Sequence, residues 1–105
     1  MKTIKQVEFE PVYCDPYLPG RANMEPNKLY ICLKHNGTSH LCFCGCGVEC
    51  YLNINEEIRD KEGVLIDKGW DFKDENGKVT LSPSILQRFE CKSHYIITKN
   101  KANFV

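Results

Sequence analysis

The segment His40-Leu41-Cys42-Phe43-Cys44-Gly45-Cys46-Gly47 constrains this chain more than any other. It sets three cysteines at alternate positions and is answered far downstream by Cys91-Lys92-Ser93-His94. Thiolates and an imidazole drawn from two distant segments make a metal or iron–sulfur site, which ties those segments together.

Strand geometry sharpens this expectation. In a flat strand, residues i and i+2 share a face about 6.6 Å apart. Two sulfurs on one tetrahedral zinc, each about 2.3 Å from the ion, lie only about 3.8 Å from each other. One Cys-x-Cys pair reaches that by modest bending, whereas Cys42 and Cys46 would stand about 13 Å apart along a flat strand. Either the chain turns within the cluster or one cysteine is spare. Gly45 and Gly47 permit the turn, because glycine accepts positive φ. A backbone turned around an ion also directs N–H groups at the thiolates.

The preferred ligand set is Cys44, Cys46, Cys91 and His94, with Cys42 the fifth candidate and His40 the sixth. Four such ligands close a shell around Zn2+ with no open position, the mark of a structural site. The alternative is a 2Fe-2S cluster on the same ligands. A Cys-x-Cys pair followed by Cys-x-x-His resembles the ligand spacing of Rieske-type proteins, with a cysteine where their first histidine stands.

The 105 residues fit one small domain, 1–105, whose modest core gains from a bound metal. Seven cysteines leave one thiol over in any full set of disulfides. Lys plus Arg and Asp plus Glu are 14 each, so the net charge is zero. That balance argues against nucleic-acid binding by bulk electrostatics and against a polybasic membrane surface. The N-terminus lacks the apolar stretch of a signal peptide, and no apolar run approaches the roughly 20 residues of a membrane helix. A cytoplasmic protein is expected, where thiols stay reduced and bind metal in preference to pairing.

Ile4 to Val12 alternates weakly and reads as an edge strand, followed by a proline- and glycine-rich loop from Cys14 to Gly20. Leu29 to Lys34 is a strong strand, with Asn36-Gly37 as a hairpin turn. Strands are expected from Ser39 into the cluster and over Cys50 to Ile54. Asn55 to Asp60 reads as a short helix capped by Asn55. Trp70 to Lys73, the Asn76-Gly77 turn and Val79 to Leu81 read as a hairpin, which Ser82-Pro83-Ser84 ends because proline cannot donate to a ladder. A helical turn over Ile85 to Phe89 and a last hairpin turning at Lys99-Asn100-Lys101 complete the chain. The fold class is all-β: a small sandwich or open barrel tied by a Cys/His metal site, with at most one or two short helical turns.

Cys14, Cys32 and Cys50 lack close partners and read as small buried residues. Trp70, Phe72 and Phe89 read as core, with Trp70 the candidate anchor for a protein partner. Ser82 and Ser84 read as turn residues, since the G-x-S-x-G elbow of a nucleophilic serine is absent. No catalytic residue is assigned, and a non-enzymatic module is favoured.

The ordered motifs HLCFCGCG, a tryptophan, VTLSPSI and CKSHYII resemble the bacterial family of unknown function DUF6527, over about residues 29–105. The matching positions are His40, Cys42, Cys44, Cys46, Trp70, Ser82, Pro83, Ser84, Cys91, Ser93 and His94. The stretch from Asn53 to Lys68 is longer and more charged than the family pattern. On this reading His40 and Ser93 support the metal ligands from outside the shell. The resemblance implies an accessory role in a bacterial ubiquitin-like conjugation system, with E1-like, E2-like or ubiquitin-like proteins as partners.

Overall fold

The structure, a computed structural model, describes residues 6–55, 57–86, 91 and 93–105. Among these the strands are β1 (Gln6–Glu8), β2 (Glu10–Tyr13), β3 (Lys28–Cys32), β4 (Gly37–Leu41), β5 (Glu49–Asn53), β6 (Glu57–Arg59), β7 (Leu65–Lys68), β8 (Asp71–Glu75), β9 (Lys78–Leu86), β10 (His94–Thr98) and β11 (Lys101–Phe104). Helical structure there is confined to two 3-10 turns, Arg21–Asn23 and Leu33–His35. The expected all-β class holds, and no helix of the described residues is long and apolar enough to cross a membrane.

A five-stranded antiparallel sheet has the order β1-β11-β10-β9-β8. A four-stranded sheet has the order β2-β3-β4-β5, with β2 parallel to β3. Alternation sends one face of each sheet inward. Leu29, Ile31 and Leu52 of the second sheet share one core with Val79, Leu81, Ile85, Tyr95, Ile97 and Ala102 of the first. This is the sandwich arrangement, with β6 and β7 pairing separately as a ribbon.

The hairpin signals lie where the sequence places them. Asn76 and Gly77 both take positive φ, 54° and 84°, between β8 and β9. Asn36, at φ 51°, ends the 3-10 turn that joins β3 to β4. Gly37 then begins β4 close to Tyr51, whose hydroxyl would lie 2.6 Å from a Cβ added there.

Three expectations are corrected. The first segment is two strands in different sheets, because β1 pairs with β11 and β2 with β3. Of the helix expected over Asn55 to Asp60, Glu57–Arg59 are instead strand β6, and residue 56 lies outside the described residues. Asn55 takes φ 51° and accepts the Phe72 N–H on its Oδ1 at 3.1 Å, so it does not cap a helix. Asp60 Oδ1 closes the following turn by accepting the N–H groups of Glu62 and Val64, each at 2.9 Å.

The third correction matters most for the site. β9 does not end at Pro83 but continues to Leu86. Tyr95 pairs with Ile85 and Ile97 with Leu81, so two steps along β10 match four along β9. The surplus is a bulge at Ser82-Pro83-Ser84, where a residue without an N–H is tolerated. Of the helical turn expected over Ile85 to Phe89, Ile85 and Leu86 are strand and residues 87–89 lie outside the described residues.

Candidate functional site

Cys42 follows β4, and the chain doubles back over residues 42–48 to enter β5. The Cys42 N–H donates to the Val48 carbonyl at 2.7 Å and the Gly45 N–H to the Cys42 carbonyl at 3.0 Å. Gly45 and Gly47 carry the reversal at φ 96° and 82°. The turn brings Cys42, Cys44 and Cys46 together with Cys91, all four Sγ atoms within 4.8 Å of one another. Cys42 Sγ lies 3.4 Å from Cys44 Sγ and 3.9 Å from Cys91 Sγ. Those separations bracket the roughly 3.8 Å expected for thiolates on one tetrahedral ion.

The surroundings suit thiolates. Cys42 receives the backbone N–H of Cys44, Cys44 that of Cys46, Cys46 that of Val48 and Cys91 that of Ser93. The buried Ser93 hydroxyl faces the cage and favours the charged forms of Cys91, Cys44 and Cys42. Its side chain, followed by its N–H, pulls the Cys91 thiol down to about 6. Burial works against ionisation of Cys44, but Ser93 and the Cys46 N–H outweigh it and the net shift is downward. Burial pushes the Cys42 thiol up, and a bound cation is what would reverse that. Arg21 adds a guanidinium that donates to the Gly47 carbonyl at 2.7 Å. The donor set fits one divalent ion with four sulfur ligands.

His94 stands outside this cage. Its Nε2 is 2.8 Å from Ser84 Oγ. Ser84 lies in the bulge of β9 and His94 opens β10, opposite Leu86, so they are diagonal neighbours across the ladder. Between them in the weave, Ile85 and Tyr95 point inward and are buried, which turns Ser84 and His94 outward, half-buried. An imidazole nitrogen at hydrogen-bond distance from a serine hydroxyl is the arrangement that activates a nucleophile.

The other expected residues are placed as follows. His40 is fully buried, with Nε2 2.6 Å from the Tyr95 hydroxyl and its ring stacked on Phe43 at 4.5 Å. Phe43 stacks in turn on Phe9 at 5.1 Å, so the cysteine turn is anchored in the core through its own aromatic residue. Trp70 is half-buried and packs against the core, with Nε1 buried. Cys14, Cys32 and Cys50 lie apart from the cage, and no disulfide joins any of the seven cysteines. The pair that sequence reasoning missed is Ser84 with His94. Its signal was present in Ser82-Pro83-Ser84: a proline inside an apolar strand pattern also marks a bulge, and bulges re-aim side chains beside active sites.

A small all-β domain with a four-cysteine cage and a Ser–His pair is thus the class that fold and site define. A family model described as "Bacterial ubiquitination-like system serine protease (BubE)" matches residues 16–105, and the chain belongs to that family. The match is to BubE rather than DUF6527; it supports the expected bacterial ubiquitin-like setting. No curated protein and no solved structure matches the chain.

Proposed function

We propose that this protein is a serine peptidase of a bacterial ubiquitin-like conjugation system, built on a β domain braced by one structural Zn2+. The observation that carries the reading is the 2.8 Å contact between Ser84 Oγ and His94 Nε2, in a chain whose family is described as a serine protease.

In this mechanism Ser84 Oγ attacks the carbonyl carbon of a peptide or isopeptide bond while His94 Nε2 takes the hydroxyl proton. The carbon–nitrogen bond breaks, and His94 passes that proton to the departing amine. Water, deprotonated by the same imidazole, then hydrolyses the Ser84 ester and restores the hydroxyl. The substrate is a protein of the conjugation system, with its ubiquitin-like, E1-like and E2-like members as candidates, met in the cytoplasm.

Cys42, Cys44, Cys46 and Cys91 would hold the zinc. Bound there, the ion supplies structure, because four thiolates leave no open position for a substrate. The 2Fe-2S alternative is less favoured. A Rieske-type cluster takes two histidines on one iron, while His94 is directed to Ser84 and His40 to Tyr95. Four sulfurs within 4.8 Å also suit a single ion.

A fluorophosphonate probe tests the peptidase reading. The zinc-loaded protein should be labelled at Ser84, and Ser84→Ala and His94→Ala should not be, with zinc content unchanged. Unlabelled wild-type protein that is folded and zinc-loaded would leave the non-catalytic alternative, an accessory module that presents a surface to its partner.

A further inference from the structure

β9 is longer than the strand beside it. It runs over nine residues, Lys78–Leu86, but β8 pairs with it only from Lys78 to Ser82. The chain leading into β8 comes from elsewhere. Trp70 bridges to Ile54, its N–H donates to the Asn53 carbonyl, and its carbonyl accepts the Asn55 N–H, each bond at 2.8 Å. Among the described residues no strand pairs with 83–86 on the β8 side.

Alternation fixes what that edge presents. The His94 carbonyl accepts the Val105 N–H at 2.9 Å, so His94 turns its backbone groups toward β11. Tyr95, the next residue, turns its own toward β9, where its partner is Ile85. Ser84 and Leu86 flank Ile85 and so aim their N–H and C=O groups away from β10, onto the open edge. Pro83 between Ser82 and Ser84 offers no donor. The His94 imidazole reaches Ser84 Oγ from the β10 side, which leaves the open edge on the other side of the same hydroxyl.

We infer that substrate binds this edge as an extended peptide strand, continuing the line of β8 and exchanging main-chain hydrogen bonds with Ser84 and Leu86. The inference rests on the serine-peptidase reading and specifies its substrate: an unfolded tail or loop of a protein, not a folded surface. Strand groups beside the hydroxyl that pair with no described strand give such a segment its hydrogen bonds. The same pairing lays the scissile carbonyl along the edge that carries Ser84.

The test begins with a tryptic peptide library from a bacterial lysate, incubated with the zinc-loaded protein and read by mass spectrometry. The best-cleaved peptide is then resynthesised with one N-methyl amide at a time. Alternate amides beside the cleavage point should each lower kcat/KM about tenfold, the value of one lost hydrogen bond, while those between them change little. Leu86→Pro, which removes an edge N–H, should raise KM about tenfold with one zinc per chain still bound. An N-methyl scan without alternation overturns the inference, as does a protein labelled at Ser84 that cleaves folded proteins but no peptide. Absence of labelling on folded, zinc-loaded protein overturns the peptidase reading itself, and the inference with it.

Discussion

Cys91 and His94 stand three residues apart and serve different sites. Cys91 Sγ lies 3.9 Å from Cys42 Sγ in the thiol cage, whereas His94 Nε2 lies 2.8 Å from Ser84 Oγ. Ser93 between them hydrogen-bonds the cage. A short segment thus carries both a thiol of the cage and the imidazole that meets Ser84. Whatever fixes Cys91 fixes the start of β10, and with it the position of His94.

The division of roles separates the ligand candidates. Cys42→Ser, Cys44→Ser, Cys46→Ser and Cys91→Ser should each abolish zinc retention, and His94→Ala should keep one zinc per chain by elemental analysis. Zinc binding in small domains contributes on the order of 10–16 kcal/mol, comparable to the whole stability of a domain this size. The four cysteine variants should therefore also lose the cooperative unfolding transition.

Ser93→Ala removes the hydroxyl that favours the charged forms of Cys42, Cys44 and Cys91. Partners of this kind, when lost, typically cost about 10- to 100-fold in metal affinity. Competition with a chromophoric chelator should show that loss, with the stoichiometry still one.

His40 sets an acid limb of stability. Burial holds its pKa down at about 3, against 6.5 in the unfolded chain, so the unfolded chain binds the extra proton between those values. Its contribution is full above about pH 6.5 and is lost as pH falls toward about 3, each unit of difference being worth about 1.4 kcal/mol. In excess zinc, urea midpoints should fall between pH 6.5 and 5 for the wild type. His40→Gln should be less stable at neutral pH but show a shallower fall.

Much of the fold was legible because strands and turns carry local signals. Asn76-Gly77 took the positive φ angles that the dipeptide favours, and the alternation of Tyr95 and Ile97 set the inward face of β10. Sulfur separations left either a turn at Gly45 and Gly47 or a spare cysteine, and the chain takes the turn. Asn55 misled because a cap residue and a left-handed turn residue look alike until its partner, Phe72, is known. The preference for His94 over Cys42 rested on the Cys-x-x-His spacing, whereas the fold sets His94 against Ser84 and gathers Cys42 with the other three thiols. Ser84 itself was hidden because Pro83 read as a strand end, whereas the ladder with β10 absorbs it as a bulge.

The central claim is that the cage positions the Ser84–His94 pair. It is tested by the rate of fluorophosphonate labelling at Ser84, followed through chelation and zinc readdition. The account predicts labelling of the zinc-loaded protein, its loss on chelation and its return with zinc. Labelling at an unchanged rate without metal, or none of the loaded protein, would contradict it.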